Sequence, residues 1–177
     1  MSQLASAPYT RTRTFQGAQD TVQEMIKAAL GDRGERSILV RTRTDQIVAG
    51  LADKSYLSEI IAVRNYVAAN VKYRNDALGV EQVKDPQRLV EEIDAWGKGV
   101  GDCDDISTLI AGMLRQLGRR TRIVIVGFTP EPNFSHVFSC GLEPRSKKWI
   151  VCDPVAGSDE AKMLRRVKHW KAFEVDQ

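Results

Sequence analysis

The stretch best suited to carry chemistry is residues 99–109, Gly-Val-Gly-Asp-Cys-Asp-Asp-Ile-Ser-Thr-Leu, which contains one cysteine. A glycine-rich polar loop gives way there to apolar residues at helical spacing. Cys103 is therefore predicted to lie in the first turn of a buried helix that stops at Gly118. Unpaired backbone N–H groups and the positive end of the helix dipole favour a thiolate at that position. A cationic histidine nearby can lower a cysteine pKa from ~8.5 to roughly 3.5–7.5. Cys103 is the predicted nucleophile.

Three acidic residues, Asp102, Asp104 and Asp105, flank this cysteine. Carboxylates suit the start of a helix, but their negative field opposes ionisation of the thiol. Residues one and two positions apart on a helix point away from each other, so we expect these carboxylates to face partners other than the sulfur. The helix dipole and a histidine should then outweigh the acidic field.

A base and an orienting carboxylate are predicted from a hairpin later in the chain. A β-branched run at 123–128, a segment at 135–142 and another at 149–151 read as strands, and residues 143–147 read as a turn. If the turn centres near residue 145, His136 lies opposite residue 154 and beside Asp153. Cys103, His136 and Asp153 can then serve as nucleophile, base and orienting acceptor. The backbone N–H of Cys103 could donate to an oxyanion.

The preceding segments predict the elements that must position these residues. Apolar periodicity predicts helices starting near Asp20, at 38–51 and at 55–71, and Asp85-Pro86 predicts a further helix start. Gly97, Gly99 and Gly101 suggest a flexible turn that lets the backbone approach the cysteine. Helices come first and an antiparallel sheet second. This order predicts an α+β fold in which the nucleophile helix packs on the C-terminal sheet.

Taken together, these motifs resemble the transglutaminase-like core, a relative of the papain-like cysteine proteases. The resemblance covers roughly residues 56 to 155 and is most specific from 101 to 154. The residues that carry it are Gly-Asp-Cys-Asp-Asp at 101–105, a helix ending in Leu-Gly at 117–118, a strand running to Gly127, Ser-His-Val-Phe at 135–138, and Trp-Ile-Val-Cys-Asp-Pro at 149–154.

The resemblance implies acyl transfer on an amide or peptide bond, by a hydrolase or a transglutaminase-like protein. A thioester forms at the cysteine, and water or an amine resolves it. On matching positions the catalytic residues are Cys103, His136 and Asp153, and the partner is a protein or peptide substrate.

The resemblance also implies an aromatic side chain upstream of the cysteine that assists the oxyanion. Tyr73 and Trp96 are both candidates, and Tyr73 is preferred. The sequence departs from many relatives after the histidine, where Val137-Phe138 replaces a small residue and tryptophan. This departure concerns substrate shape more than the three catalytic residues.

Bulk properties predict one domain and argue against a nucleic-acid-binding, membrane-spanning or disulfide-rich protein. Of the 177 residues, residues 1–15 read as a polar arm and 16–177 as a single domain. A net charge of +3 argues against nucleic-acid binding. No apolar run is long enough to span a membrane and no signal peptide is recognisable, so we expect a protein made in the cytoplasm. The 3 cysteines lack a CxxC and argue against a disulfide framework.

In a second hypothesis, the protein has the same fold but catalyses little or no reaction. Small chains of this type resemble those encoded by bacteriophages and prophages, which makes a virion structural or adaptor protein an alternative. A basic C-terminal segment could dock on virion proteins, although a solvated face explains it more simply. Its cations are Lys162, Arg165, Arg166, Lys168 and Lys171.

Each site residue also has an ordinary structural explanation when taken singly. Cys103 could be a packing residue, His136 a satisfied core histidine and Asp153 a turn residue. Cys103, His136, Cys140 and Cys152 could together offer tetrahedral zinc ligands, but they lack the closely spaced ligand pairs that usually begin such sites. We therefore expect no metal and no cofactor.

Overall fold

The computed structural model describes residues 15–75, 82–131, 133–155 and 160–176. Apart from residue 15, the predicted arm at 1–15 lies outside the described residues. The helices are α1 (Phe15–Leu30), α2 (Ile38–Val48), α3 (Tyr56–Asn70), α4 (Pro86–Trp96), α5 (Cys103–Gln116) and α6 (Glu160–Arg166). The strands are β1 (Val71–Tyr73), β2 (Gly99–Gly101), β3 (Thr121–Gly127), β4 (His136–Glu143), β5 (Lys148–Cys152) and β6 (His169–Glu174).

The main sheet is antiparallel and has the strand order β5-β4-β3-β6. Its first three strands in chain order match the predicted ones, and α5 packs against it through β4. The predicted α+β architecture, in which the nucleophile helix lies on a C-terminal antiparallel sheet, is therefore confirmed.

The helix α5 is the centre of the core, because all residues from 103 to 114 are buried. On one side it contacts the helices α1 to α4, and on the other it contacts β4 and β3. A helix buried around its whole circumference has little freedom to shift. Its first residue is consequently held in a fixed place.

The sheet has two faces with different coverings. Ile123, Ile125 and Val137 belong to a core cluster with residues of α1 and with Cys103, and we call this side the inner face. Phe138 and Cys140 belong to a separate cluster on the opposite side, the outer face. Because side chains alternate along a strand, each strand contributes to both faces.

The fourth strand of the sheet, β6, was not predicted. Its residues fall within the basic C-terminal segment, which we had interpreted as a solvated face. Trp170 pairs with Val126 and Ala172 pairs with Val124, so alternate residues of β6 add to the outer face. Lys171 between them and Lys168 before them conceal this alternation in the sequence.

The glycine-rich segment before Cys103 is also more regular than the predicted flexible turn. Gly97 ends α4 with a left-handed φ of 74°, and residues 99–101 form β2, which pairs in parallel with β1. A Cβ on Gly101 would lie 2.6 Å from the Cβ of Asp105. Glycine is therefore required there for close packing against the nucleophile helix.

None of the helices in the described ranges is long and apolar enough to cross a bilayer.

Candidate active site

Cys103 is the first residue of α5 and is 4% exposed. Asp102 caps the helix, because its Oδ1 accepts hydrogen bonds from the backbone N–H groups of Asp104 at 3.0 Å and Asp105 at 3.4 Å. Such a cap fixes where the helix begins. The sulfur is thereby held at the positive end of the helix dipole.

One of the acidic neighbours contacts the sulfur, contrary to our expectation. The Sγ of Cys103 lies 3.6 Å from Oδ1 of Asp104, within reach of a thiol hydrogen bond. The rule that adjacent helical residues diverge is weaker in the first turn, where both side chains are short and lean towards the N-terminus. Asp105 behaves as predicted, since its Oδ1 accepts from the backbone N–H of Lys84 at 2.7 Å.

A buried carboxylate that the sequence analysis missed holds the strand leading to the cysteine. Glu92 accepts the backbone N–H of Val100 at 3.2 Å and pairs with Lys84 at 3.4 Å and Arg88 at 3.1 Å. The ammonium group of Lys84 also donates to the carbonyl of Val100. The signal that could have revealed Glu92 is its place beside Ile93 on the buried side of α4.

His136 and Asp153 form the closest contact between predicted site residues. Nε2 of His136 lies 2.6 Å from Oδ2 of Asp153, and Asp153 is 1% exposed. Its other oxygen accepts the backbone N–H of Val155 at 3.0 Å. An ionised carboxylate only accepts hydrogen bonds, so it pairs with the imidazole tautomer that carries its hydrogen on Nε2. Nδ1 is then the ring nitrogen left to take up a proton.

The hairpin register differs from the predicted one by a single residue. Ser139 pairs with Cys152, which places His136 level with residue 155 and not with residue 154. His136 and Asp153 are consequently diagonal neighbours on the same face of the sheet. Long side chains can span the distance between such diagonal positions.

The helix and the strand run side by side, which fixes the level of Cys103. Ser107 donates to the carbonyl of Val137 at 3.3 Å, and Ser139 donates to the carbonyl of Ser107 at 2.8 Å. Cys103 precedes Ser107 by four residues, a rise of about 6 Å along the helix, which equals nearly two strand residues. Cys103 is therefore level with His136.

The imidazole of His136 lies beside aromatic rings of the outer face. Val137 packs in the cluster that contains Cys103, so alternation directs His136 towards the outer face. There its ring centroid lies 6.1 Å from that of Phe138 and 6.4 Å from that of Phe128. His136 begins β4, so the thiol of Cys103 and this imidazole lie at the same end of that strand.

The two oxyanion candidates lie in different surroundings. Tyr73 pairs with Gly101 across the parallel strands, is 42% exposed and donates its hydroxyl hydrogen to Asn75 at 2.7 Å. Trp96 ends α4 and is 71% exposed. The structure thus places Tyr73 beside the strand that leads to Cys103 and leaves Trp96 at the surface.

Within the described ranges, the second histidine of the chain has no carboxylate partner. His169 pairs with Gly127 in the sheet, and its ring meets that of Phe134 edge-on at 5.0 Å. Its Nε2 is buried and has no hydrogen-bond partner among the described residues. His136 is therefore the histidine that a carboxylate holds in place.

The remaining cysteines lie in the sheet and are poor nucleophiles. Burial raises the pKa of the Cys152 thiol to about 12 and also raises the pKa of the Cys140 thiol. Cys152 and Cys140 belong to clusters on opposite faces of the sheet. The two thiols therefore do not act together as ligands of a zinc site. Atoms of Asp102, Cys103 and Asp104 that could bind a metal lie within 4.8 Å of one another.

Comparison with known proteins identifies the fold family. The family model of the transglutaminase-like superfamily matches residues 41–154, which is more than half of the chain. The chain belongs to the transglutaminase-like superfamily. The match begins within α2, earlier than the core predicted at 56–155, and it contains Cys103, His136 and Asp153.

Two solved structures share the fold. A candidate protease from Parabacteroides distasonis aligns with a TM-score of 0.59 and 11% identity over 90% of this chain and 29% of that one. A candidate cysteine protease from Cytophaga hutchinsonii aligns with a TM-score of 0.50 and 15% identity over 87% of this chain and 57% of that one. The chain thus spans only part of either protein. No protein of curated function matches. The fold is that of cysteine-based hydrolases and acyltransferases.

Proposed function

We propose that the protein transfers acyl groups from an amide or peptide bond through a thioester on Cys103. The observation that carries the proposal is the 2.6 Å contact between His136 and Asp153, level with a cysteine at a helix N-terminus. A buried carboxylate that fixes one imidazole nitrogen leaves the other ready for proton transfer. This is the arrangement that activates a cysteine nucleophile.

In the proposed reaction, the thiol proton of Cys103 passes to Nδ1 of His136 at the end of β4, while Nε2–H of the same ring continues to donate its hydrogen bond to Asp153. Sγ then bonds to the substrate carbonyl carbon, and the backbone N–H of Cys103 donates to the oxyanion. The C–N bond breaks as the imidazolium gives its proton to the leaving amine. Water or a second amine, deprotonated by the imidazole, then cleaves the thioester and restores the thiol.

The substrate is proposed to be a protein or peptide, because the leaving group must be an amine. Tyr73 is the preferred aromatic residue for assisting the oxyanion, since its strand adjoins Gly101.

A virion structural or adaptor role on the same fold stays a prediction. It would draw support from a Cys103 thiol with no special reactivity.

Thiol labelling distinguishes the proposed acyl-transfer enzyme from a virion structural or adaptor protein. Cys103 should react with iodoacetamide faster than the thiol of N-acetylcysteine at about pH 6, because the imidazolium and the helix dipole stabilise a thiolate. His136→Ala should slow labelling by about tenfold or more. His169→Ala is the matched control and should stay within about twofold of wild type. Equal, slow labelling in all three proteins would reject the proposal.

A further inference from the structure

The outer face of the sheet carries an open apolar groove next to His136. Its volume is about 350 Å³, at the lower end of the range for small-ligand pockets and enough for one large apolar side chain. Two of its wall residues are solvent-exposed, Trp170 at 66% and Leu164 at 40%. Its lining residues include Arg122, Val126, Phe138, Leu164, Trp170 and Ala172.

The groove is continuous with the proposed catalytic pair. Val126 lines the groove and pairs directly with His136 across the strands. Phe138 lines it as well, with its ring centroid 6.1 Å from that of His136. From Val126 to Arg122 the groove follows four residues of β3, or about 13 Å. A substrate whose carbonyl lies at the end of β4 could therefore extend a side chain along the outer face.

The charge around the groove restricts its occupant further. Three guanidinium groups stack on aromatic rings at its edge: Arg166 on Phe128 at 5.4 Å, and Arg122 and Arg120 on Trp149 at 3.9 Å and 5.9 Å. Arg122 and Arg120 pair with Glu174 at 2.5 Å and 3.5 Å, so the charge that would repel a cationic side chain is mainly that of Arg166. An uncharged apolar side chain would bury its surface against the valines and aromatic rings.

We infer that the groove is the acyl-donor pocket of the protein and takes an uncharged apolar side chain, aromatic or aliphatic, of a peptide substrate. The inference rests on the proposed function of Cys103. It adds a substrate class and assigns a role to β6 and α6. The residues that shape the pocket wall are Ala172 and Trp170 on β6 and Leu164 on α6.

Substituted haloacetamides test this pocket separately from the chemistry. Each reagent forms a bond from Sγ of Cys103 to carbon and releases iodide. Relative to iodoacetamide, and corrected for reaction with N-acetylcysteine, N-(2-phenylethyl)iodoacetamide should label Cys103 about tenfold faster, since its ring enters the groove. N-(2-aminoethyl)iodoacetamide should show no such preference. Peptide mapping by mass spectrometry assigns the labelled residue.

Filling the groove should abolish the preference. In Ala172→Phe the added ring occupies the pocket, so the ratio of the phenylethyl rate to the iodoacetamide rate should fall to about one. Trp170→Ala, at a more exposed position, provides a second variant and should lower the ratio in part. Ala68→Phe adds the same ring at an exposed alanine of α3 and should leave the ratio unchanged.

The outcomes separate failure of the pocket from failure of the function. Fast iodoacetamide labelling without a phenylethyl preference would overturn the pocket and leave the proposed function standing. Slow labelling by every reagent would overturn the proposed function, and the acyl-donor role with it. A dimer of wild type that dissociates in Ala172→Phe would show that the groove joins two copies of the chain, which would also overturn the inference.

Discussion

Cys103 and Cys152 are both buried, at 4% and 0% exposure, but they lie in different parts of the fold. Cys152 ends a strand in the core, where its Sγ donates to the backbone carbonyl of Ile150 at 3.6 Å and accepts a hydrogen bond from the backbone of Gly141. Cys103 begins a helix, level with an imidazole held by a buried acid. The comparison teaches that burial alone makes a thiol inert, and that local dipoles and ionisable neighbours decide whether a buried thiol can react.

The strongest test of this comparison removes Cys103 in one variant and the other two cysteines in a second variant. Cys103→Ala should remove fast iodoacetamide labelling entirely, whereas Cys140→Ala/Cys152→Ala should retain it. With a pKa of about 12, Cys152 is protonated throughout the neutral range, and about one molecule in ten thousand is a thiolate at pH 8. Its labelling should therefore increase only as the pH rises. Fast labelling of Cys103→Ala near neutral pH would contradict the comparison.

Removing the orienting acid should have the next largest effect. Asp153→Asn keeps the shape of the side chain but loses the charge that holds Nε2–H of His136, so turnover of a peptide substrate should fall by about a hundredfold or more. Asp176→Asn, at an exposed position near the end of the chain, is the matched control. Circular dichroism should be unchanged in both variants. Full activity in Asp153→Asn would remove Asp153 from the mechanism.

Weakening the contacts of Glu92 that hold β2 should have a smaller effect on the reactivity of Cys103. Glu92→Gln weakens the contacts with Lys84 and Val100, so the free energy of unfolding should fall by about 1–3 kcal/mol and Cys103 labelling should slow several-fold. Glu91→Gln is the neighbouring control, because Glu91 pairs with Arg33 at the surface, where its side chain is 43% exposed. Chemical denaturation measures the first effect and labelling the second. Identical behaviour of the two variants would show that the buried network does not position the cysteine.

The smallest expected effect has the opposite sign. Asp104→Asn removes a negative charge 3.6 Å from Sγ, so a thiolate forms more readily and labelling at about pH 6 should accelerate several-fold. A slower reaction would mean that Asp104 supports the nucleophile instead of restraining it.

Much of this arrangement could be predicted because it depends on local patterns. The residue types at 102–118 specify a capped, buried helix, and the hairpin spacing brings His136 close to Asp153. The one-residue register difference arises in the turn, whose conformation side-chain alternation does not determine. It matters chemically, because it decides that the two side chains share a face.

The parts that could not be predicted depend on tertiary contacts. The strand β2 contains two glycines and leaves almost no side-chain pattern, and it forms because β1 lies beside it. The charged residues around Trp170 and Ala172 conceal their strand pattern, which depends on pairing with β3. Glu92 lies on the buried side of α4, but its partners Lys84 and Val100 come from outside that helix.

The most direct test of the central claim is the ultraviolet absorbance of the thiolate at about pH 6, compared between wild type, Cys103→Ala and His136→Ala. We predict that wild type shows a thiolate signal that Cys103→Ala lacks and that His136→Ala largely loses. Equal absorbance in all three proteins would show that the imidazole at the end of β4 does not ionise the cysteine, and would contradict the account.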